Sequence, residues 1–178
     1  MELVAYPSLW TAISLVGSPV AMAVLCVLLV LALLRFGNVH AASACVLIAG
    51  LGGLLNTFLK AFVHRPRPPG ADQFLYGHSW SFPSGHAMGS LIGYGMLAYC
   101  ALTYTSLNSV AKRAIVAACA LLVLAVGYSR VALGVHYRGD VIGGWIIGAV
   151  WLAAGIALLR SVESRRPSTA GAGVTPER

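Results

Sequence analysis

Three short stretches of the chain carry residue types that can do chemistry together. The first holds Lys60, Arg65, Arg67 and Pro68. The second is Pro83, Ser84, Gly85 and His86. The third holds Ser129, Arg130, His136 and Asp140. Fixed cations in the first and third stretches imply an anionic ligand. Arginine presents a planar fork that matches phosphate oxygens, and lysine adds a point charge. Lys60 and Arg67 are seven residues apart, about two turns if a helix continues, although Pro66 and Pro68 favour its ending first. The second stretch reads as a helix start. Ser84 suits the N-cap and Gly85 lets a ligand approach the backbone. A helix N-terminus binds phosphate, and His86 would sit in its first turn. His136 and Asp140 are four residues apart, so on a helix they would share a face. A carboxylate beside an imidazole fixes its tautomer and stabilises positive charge, as in an oriented nucleophile. His86 then offers a second imidazole for proton transfer to a leaving oxygen.

Each stretch also has a plainer account. Lys60, Arg65 and Arg67 could simply reach the lipid headgroups. Ser84 could be an ordinary cap with an interfacial His86 beside it. His136 and Asp140 could be a structural pair, with the carboxylate at the positive end of a helix dipole. A metal centre is the chemical rival, because His64, His78, His86, His136 and Asp140 could supply ligands. No His-x-His or His-x-x-x-His spacing occurs, and the three cations would repel a metal ion. Neither a metal nor a cofactor is expected.

The elements that must position these groups are membrane helices. Of 178 residues, 58% are hydrophobic and 10% charged, against about 25% charged in soluble domains, and the mean hydropathy is +0.82. A soluble enzyme, a disordered chain and a nucleic-acid-binding domain are excluded on this balance. The net charge of +7 is scattered between apolar runs, as membrane topology requires, so no nucleic-acid partner is expected. The fold class is all-α: a polytopic transmembrane bundle of about five spans with an N-terminal interfacial helix. The spans run from about Pro19 to Leu34, Ala41 to Leu59, Ala87 to Leu107, Ala114 to Tyr128, and Val141 to Leu159. Leu9, Trp10, Ile13 and Val16 fall at helical spacing between Pro7 and the Gly17-Ser18-Pro19 turn, which marks residues 1–17 as the interfacial segment. Residues 161–178 read as a flexible polar tail. The whole is one domain. The first 34 residues hold no Lys or Arg, so the basic start of a signal peptide is missing. Cys26, Cys45, Cys100 and Cys119 lie in apolar runs and read as packing residues. Gly85, Gly89 and Gly93, and then Gly144 and Gly148, recur every four residues as ridges for close helix approach.

Five spans gather all three stretches on one face. Of the twelve Lys and Arg, seven lie on the opposite face, and three of the remaining five, Lys60, Arg67 and Arg130, are the candidate anion-binding groups. The positive-inside rule then makes the face that carries them extracytoplasmic.

Taken together and in order, the stretches resemble the signature of the type 2 phosphatidic acid phosphatase superfamily: Lys-x6-Arg-Pro, Pro-Ser-Gly-His, and Ser-Arg-x5-His-x3-Asp. Every defining position is matched between residues 60 and 140. The resemblance implies a metal-independent membrane phosphatase acting on lipid phosphates. On it, His136 attacks phosphorus to form a phosphohistidine, and Asp140 orients that ring. His86 protonates the leaving oxygen and then activates water. Lys60, Arg67, Ser84, Gly85 and Arg130 hold the phosphoryl oxygens, and such transfer depends mainly on positioning and charge. Two features depart from the family. Its membrane members usually have six spans, which puts the wall of the lipid access path in doubt. Arg138 stands where many members are uncharged; it either meets a second phosphate or, as is favoured here, faces the headgroups. The compact size and the resemblance point to a bacterial-type inner membrane. Expected substrates are phosphatidic acid, phosphatidylglycerol phosphate or an isoprenoid diphosphate such as undecaprenyl diphosphate. The loop from Pro69 to Phe82 is a candidate selector, with Phe74, Tyr76 and Trp80 either packing on the lipid chains or forming an interfacial aromatic belt. Partners reduce to the lipid phosphate and membrane lipids, with no obligatory protein. Two alternatives stay open: a lipid-to-lipid phosphotransferase on the same scaffold, and a non-catalytic lipid-phosphate binder or transporter.

Overall fold

The computed structural model describes residues 7–71 and 79–165. Phe74, Tyr76 and His78, the start of the interfacial segment and the tail from residue 166 lie outside the described residues. Among the described residues, six helices follow in order: α1 (Pro7–Leu15), α2 (Pro19–Arg35), α3 (Val39–Val63), α4 (Gly85–Tyr104), α5 (Ser109–Ala132) and α6 (Arg138–Ser164).

The helix starts follow local chemistry. Ser18 accepts from the Ala21 amide at 3.2 Å, and Pro19 follows at the first helical position, where its missing N–H costs nothing. Asn108 caps α5 by accepting from the Ala111 amide at 2.9 Å. That cap starts α5 five residues before the expected span at Ala114, because Lys112 and Arg113 interrupt the apolar run without interrupting the helix. At the other end of the chain α6 continues to Ser164. Residues 161–164, expected as flexible tail, are therefore its last turn, where Glu163 accepts from the Tyr104 hydroxyl at 2.6 Å.

Among the described residues, four stretches are long and apolar enough to cross a bilayer: Ser8–Arg35, Val39–Val63, Ser109–Ala132 and Arg138–Ser164. They turn large apolar side chains outward, among them Val20, Leu31, Leu54, Leu121 and Ile146. The fifth expected span is α4, whose 20 residues reach about 30 Å. It packs against α2, α3, α5 and α6 at the centre of the bundle. Its neighbours are protein rather than lipid, so it tolerates Gly, Ser and Tyr. Met88, Ile92, Met96 and Tyr99 form the core with Ala41, Cys45 and Ile48 of α3.

Glycines set the closest approach. A Cβ on Gly144 would stand 2.9 Å from the Ser84 carbonyl oxygen and 3.2 Å from the Ala87 Cβ. The bare backbone lets α6 lie directly on the start of α4, as close packing in a membrane requires. The Ser84 amide donates to the Asp140 carbonyl at 3.0 Å across that contact.

The N-terminal segment does more than lie on a surface. α1 packs on α5, with Trp10 edge-on to Tyr128 at 5.1 Å. The Tyr94 hydroxyl of α4 donates to the Val16 carbonyl at 2.7 Å.

Candidate active site

A cavity of about 900 Å³ runs between α2, α3 and α4. Lys60, Arg67, His86, Arg130 and His136 line it on one face of the bundle. Apolar side chains such as Met22, Val30, Val46 and Ile92 continue it into the membrane-spanning part. A charged head and an apolar body in one cavity match an amphiphile rather than a free ion.

Lys60 projects from the last turn of α3. The helix stops at His64, which adopts the left-handed conformation (φ 51°) and returns its amide to the Lys60 carbonyl at 3.2 Å. Each proline disfavours helix at the arginine before it. Lys60 and Arg67 thus share no helical face, yet the chain reversal brings both to the cavity. Lys60 Nζ donates to the Trp80 carbonyl. Arg67 Nε donates to the Ser79 carbonyl and its Nη1 to the Val135 carbonyl, both at 2.9 Å. Arg130, in the last turn of α5, is 2% exposed, and its Nη1 donates to Ser14 Oγ of α1.

Gly85 and His86 open α4 and both line the cavity. A Cβ on Gly85 would stand 3.2 Å from Asn56 Oδ1, so glycine keeps that wall open. Ser84 is fully buried and is not among the cavity-lining residues. Its hydroxyl accepts from the Ala87 amide at 3.5 Å, as a helix cap.

His136 and Asp140 do not share a helical turn. α5 ends in a reversal where Gly134 takes φ +68°, and the amides of Val135 and His136 both donate to the Arg130 carbonyl at 3.2 Å. Only glycine adopts that conformation freely. His136 thus lies in the turn and Asp140 in the first turn of α6, where the helix dipole favours a carboxylate. His136 Nδ1 stands 3.5 Å from Asp140 Oδ2 and 3.3 Å from Ser81 Oγ. Asp140 is fully buried. Its Oδ1 accepts from Arg65 Nη1 at 2.9 Å, and its Oδ2 accepts from Ser81 Oγ at 2.5 Å and the Tyr137 amide at 2.9 Å.

The other ring nitrogen, Nε2, faces Arg67 Nη1 at 3.3 Å and the cavity. Burial, and then the charges of Arg67, Lys60 and Arg130, push the His136 pKa from 6.5 down to about 2. The ring is neutral at ordinary pH. The acceptors around Nδ1 assign the proton there, which leaves the Nε2 lone pair toward the cations. That is the state a nitrogen nucleophile needs.

Two contributors, and the partner of a third, are not marked in the sequence. Ser14 and Ser81 are single hydroxyls without spacing to mark them. Arg65 was legible as a cation, but its carboxylate partner was not. Trp80 is 37% exposed and edge-on to His64 at 4.8 Å. It offers the cavity a backbone carbonyl contact to Lys60 and does not line it with its ring. Arg138 is exposed and away from the cavity lining.

The chain is similar to known proteins. Residues 24–163 match the PAP2 superfamily. Phosphatidylglycerophosphatase B of Bacillus subtilis (strain 168) is 37% identical over 103 residues, which cover 58% of this chain and 50% of that protein. The chain thus spans about half the length of the curated relative it matches. The crystal structure of a transmembrane PAP2-type phosphatidylglycerolphosphate phosphatase from Bacillus subtilis superposes with a TM-score of 0.81. Its identity is 28%, over 90% of this chain and 79% of that one. The matched region opens within α2, closes in the last turn of α6 and encloses every ionisable group at the cavity, and on that extent the chain belongs to the PAP2 superfamily.

Proposed function

We propose that the protein is a membrane lipid phosphatase working through a phosphohistidine. The observation that carries this reading is the placement of the His136 ring. Its Nε2 faces a cationic cavity that continues into an apolar groove, and its Nδ1 faces a buried hydroxyl and carboxylate. Lys60, Arg67 and Arg130 take the phosphoryl oxygens, with the opening of α4 at Gly85. Charge stabilisation of this kind supplies much of the acceleration in phosphoryl transfer. The Nε2 lone pair forms a bond to phosphorus as the phosphorus–oxygen bond to the lipid breaks. The electron pair leaves on the lipid oxygen, and His86 protonates it. Neutral His86 then takes a proton from water, whose oxygen attacks phosphorus. The phosphorus–nitrogen bond breaks, its electron pair returns to Nε2 of His136, and inorganic phosphate leaves. No step calls on a metal ion.

The apolar groove favours a phosphate carried on lipid chains. The names of the two relatives put phosphatidylglycerol phosphate first, ahead of phosphatidic acid and undecaprenyl diphosphate. The charge distribution supports a site on the extracytoplasmic side of a bacterial-type inner membrane. Arg138, exposed at the first position of α6, meets the headgroups.

The test is phosphate release by the detergent-purified chain from each of the three lipids with EDTA present, beside His136→Ala. EDTA-resistant release that vanishes in the variant is the expected result. Release that persists in the variant, or that EDTA abolishes, would overturn the histidine mechanism. Label appearing on an acceptor lipid instead of in free phosphate would make the protein a phosphotransferase.

A further inference from the structure

We propose that Ser81 is a positioning residue of this reaction: its hydroxyl stands between the nucleophilic imidazole and Asp140, and transmits the carboxylate's charge to the ring. The inference rests on the phosphatase reading above and concerns a residue outside the three signature stretches.

The direct contact from His136 Nδ1 to Asp140 Oδ2 is 3.5 Å, long for a hydrogen bond that must fix a ring. The path through Ser81 is shorter at each step: 3.3 Å from Nδ1 to Oγ and 2.5 Å from Oγ to Oδ2. A carboxylate only accepts, so the Ser81 proton points to Asp140. The serine oxygen is then left with lone pairs for the Nδ1 proton. One hydroxyl thereby selects the tautomer that leaves Nε2 free for attack. No proton has to move along this chain. When the ring becomes a positively charged phosphohistidine, its Nδ1–H stays in place and the polarised hydroxyl and carboxylate stabilise it.

The rest of the surroundings holds Ser81 in that role. Ser81 and Asp140 are both fully buried, so water does not replace the bridge. The Ser81 amide donates to the Arg65 carbonyl at 2.8 Å. The guanidinium of the same Arg65 donates to Asp140 Oδ1 at 2.9 Å and lies 4.5 Å above the Tyr137 ring. One residue therefore positions both the bridge and the carboxylate, from opposite ends of its own structure. With the Tyr137 amide donating to Oδ2, the carboxylate has partners on both oxygens.

The experiment compares wild type, Ser81→Ala, Ser81→Thr and Arg65→Gln as full chains in detergent. The substrate is the lipid that wild type cleaves best, and each protein is also labelled with ¹⁵N-histidine to read the His136 tautomer by NMR. Ser81→Ala is expected to lower kcat about ten- to hundred-fold, the range for a hydrogen bond serving a charged group, with KM changed less than about threefold. The His136 signal should move from the Nδ1–H form to a mixture. Ser81→Thr, which keeps the hydroxyl, should restore the tautomer and most of kcat. Arg65→Gln should move both readouts in the direction of Ser81→Ala. Wild-type kcat with an unchanged tautomer in Ser81→Ala would overturn the proposal. So would a kcat loss with an unchanged tautomer, which marks mere structural damage. If wild type releases phosphate from no lipid, the phosphatase reading fails, and the tautomer still decides whether Ser81 governs the ring.

Discussion

Arg130 binds at two levels: its side chain borders the cavity, and its Nη1 donates to Ser14. A guanidinium can serve a protein hydroxyl and a phosphoryl oxygen at once because its donors are spread over a rigid plane. An ammonium at the end of a flexible stem cannot. Arg130→Lys is therefore expected to lower kcat/KM by about ten- to hundred-fold without unfolding the chain. Steady-state phosphate release beside a thermal melt would check it, and near-normal turnover would refute fork-like recognition. The residues that align with a phosphate transfer were legible because their types and spacing are unusual in an apolar chain. Ser14 and Ser81 were not. Their partners lie 116 and 59 residues away in sequence, and a lone serine in an apolar stretch looks like any small packing residue.

At the scale of elements, apolar length located the five long helices α2 to α6, because lipid leaves the backbone no alternative to helix. Their ends were less legible where charge and helix part company, as at Lys112 and at Ser161 to Ser164. The contact of α4 with α6 follows from the glycine ridge, and it sets how Asp140 meets Ser84. Gly144→Val would push its side chain into the Ser84 carbonyl. Overpacking of this kind costs about 1–3 kcal/mol. Both the melting temperature and turnover should fall, whereas substitution of the open Gly50, with nothing within 4 Å of an added Cβ, should leave the melt unchanged. The N-terminal helix was expected at the interface, but its role in holding Arg130 was invisible until α1 was seen against α5. Ser14→Ala should lower kcat/KM about five- to tenfold with an unchanged melt. Gly17→Val, whose added carbons would collide with Val126, should lower both.

Across the whole molecule, a buried neutral histidine makes stability depend on pH. His136 has its folded pKa depressed from 6.5 to about 2, so below about pH 6.5 the unfolded chain binds a proton that the folded chain refuses. Its contribution is complete above that pH and is lost progressively on acidification, at up to about 1.4 kcal/mol per pH unit. The melting temperature in detergent should fall between about pH 7.5 and about pH 5, and His136→Asn should flatten that fall. An unchanged slope in the variant would count against a neutral buried ring. The cavity between α2, α3 and α4 has a further consequence for how such a protein is measured. A site continued by apolar walls inside the bundle draws its substrate from the plane of the bilayer, so the relevant concentration is mole fraction in the surface. Diluting proteoliposomes with buffer should leave the rate per protein unchanged. Diluting the substrate with inert lipid at constant total volume should lower it in proportion, as expected for a reaction confined to two dimensions.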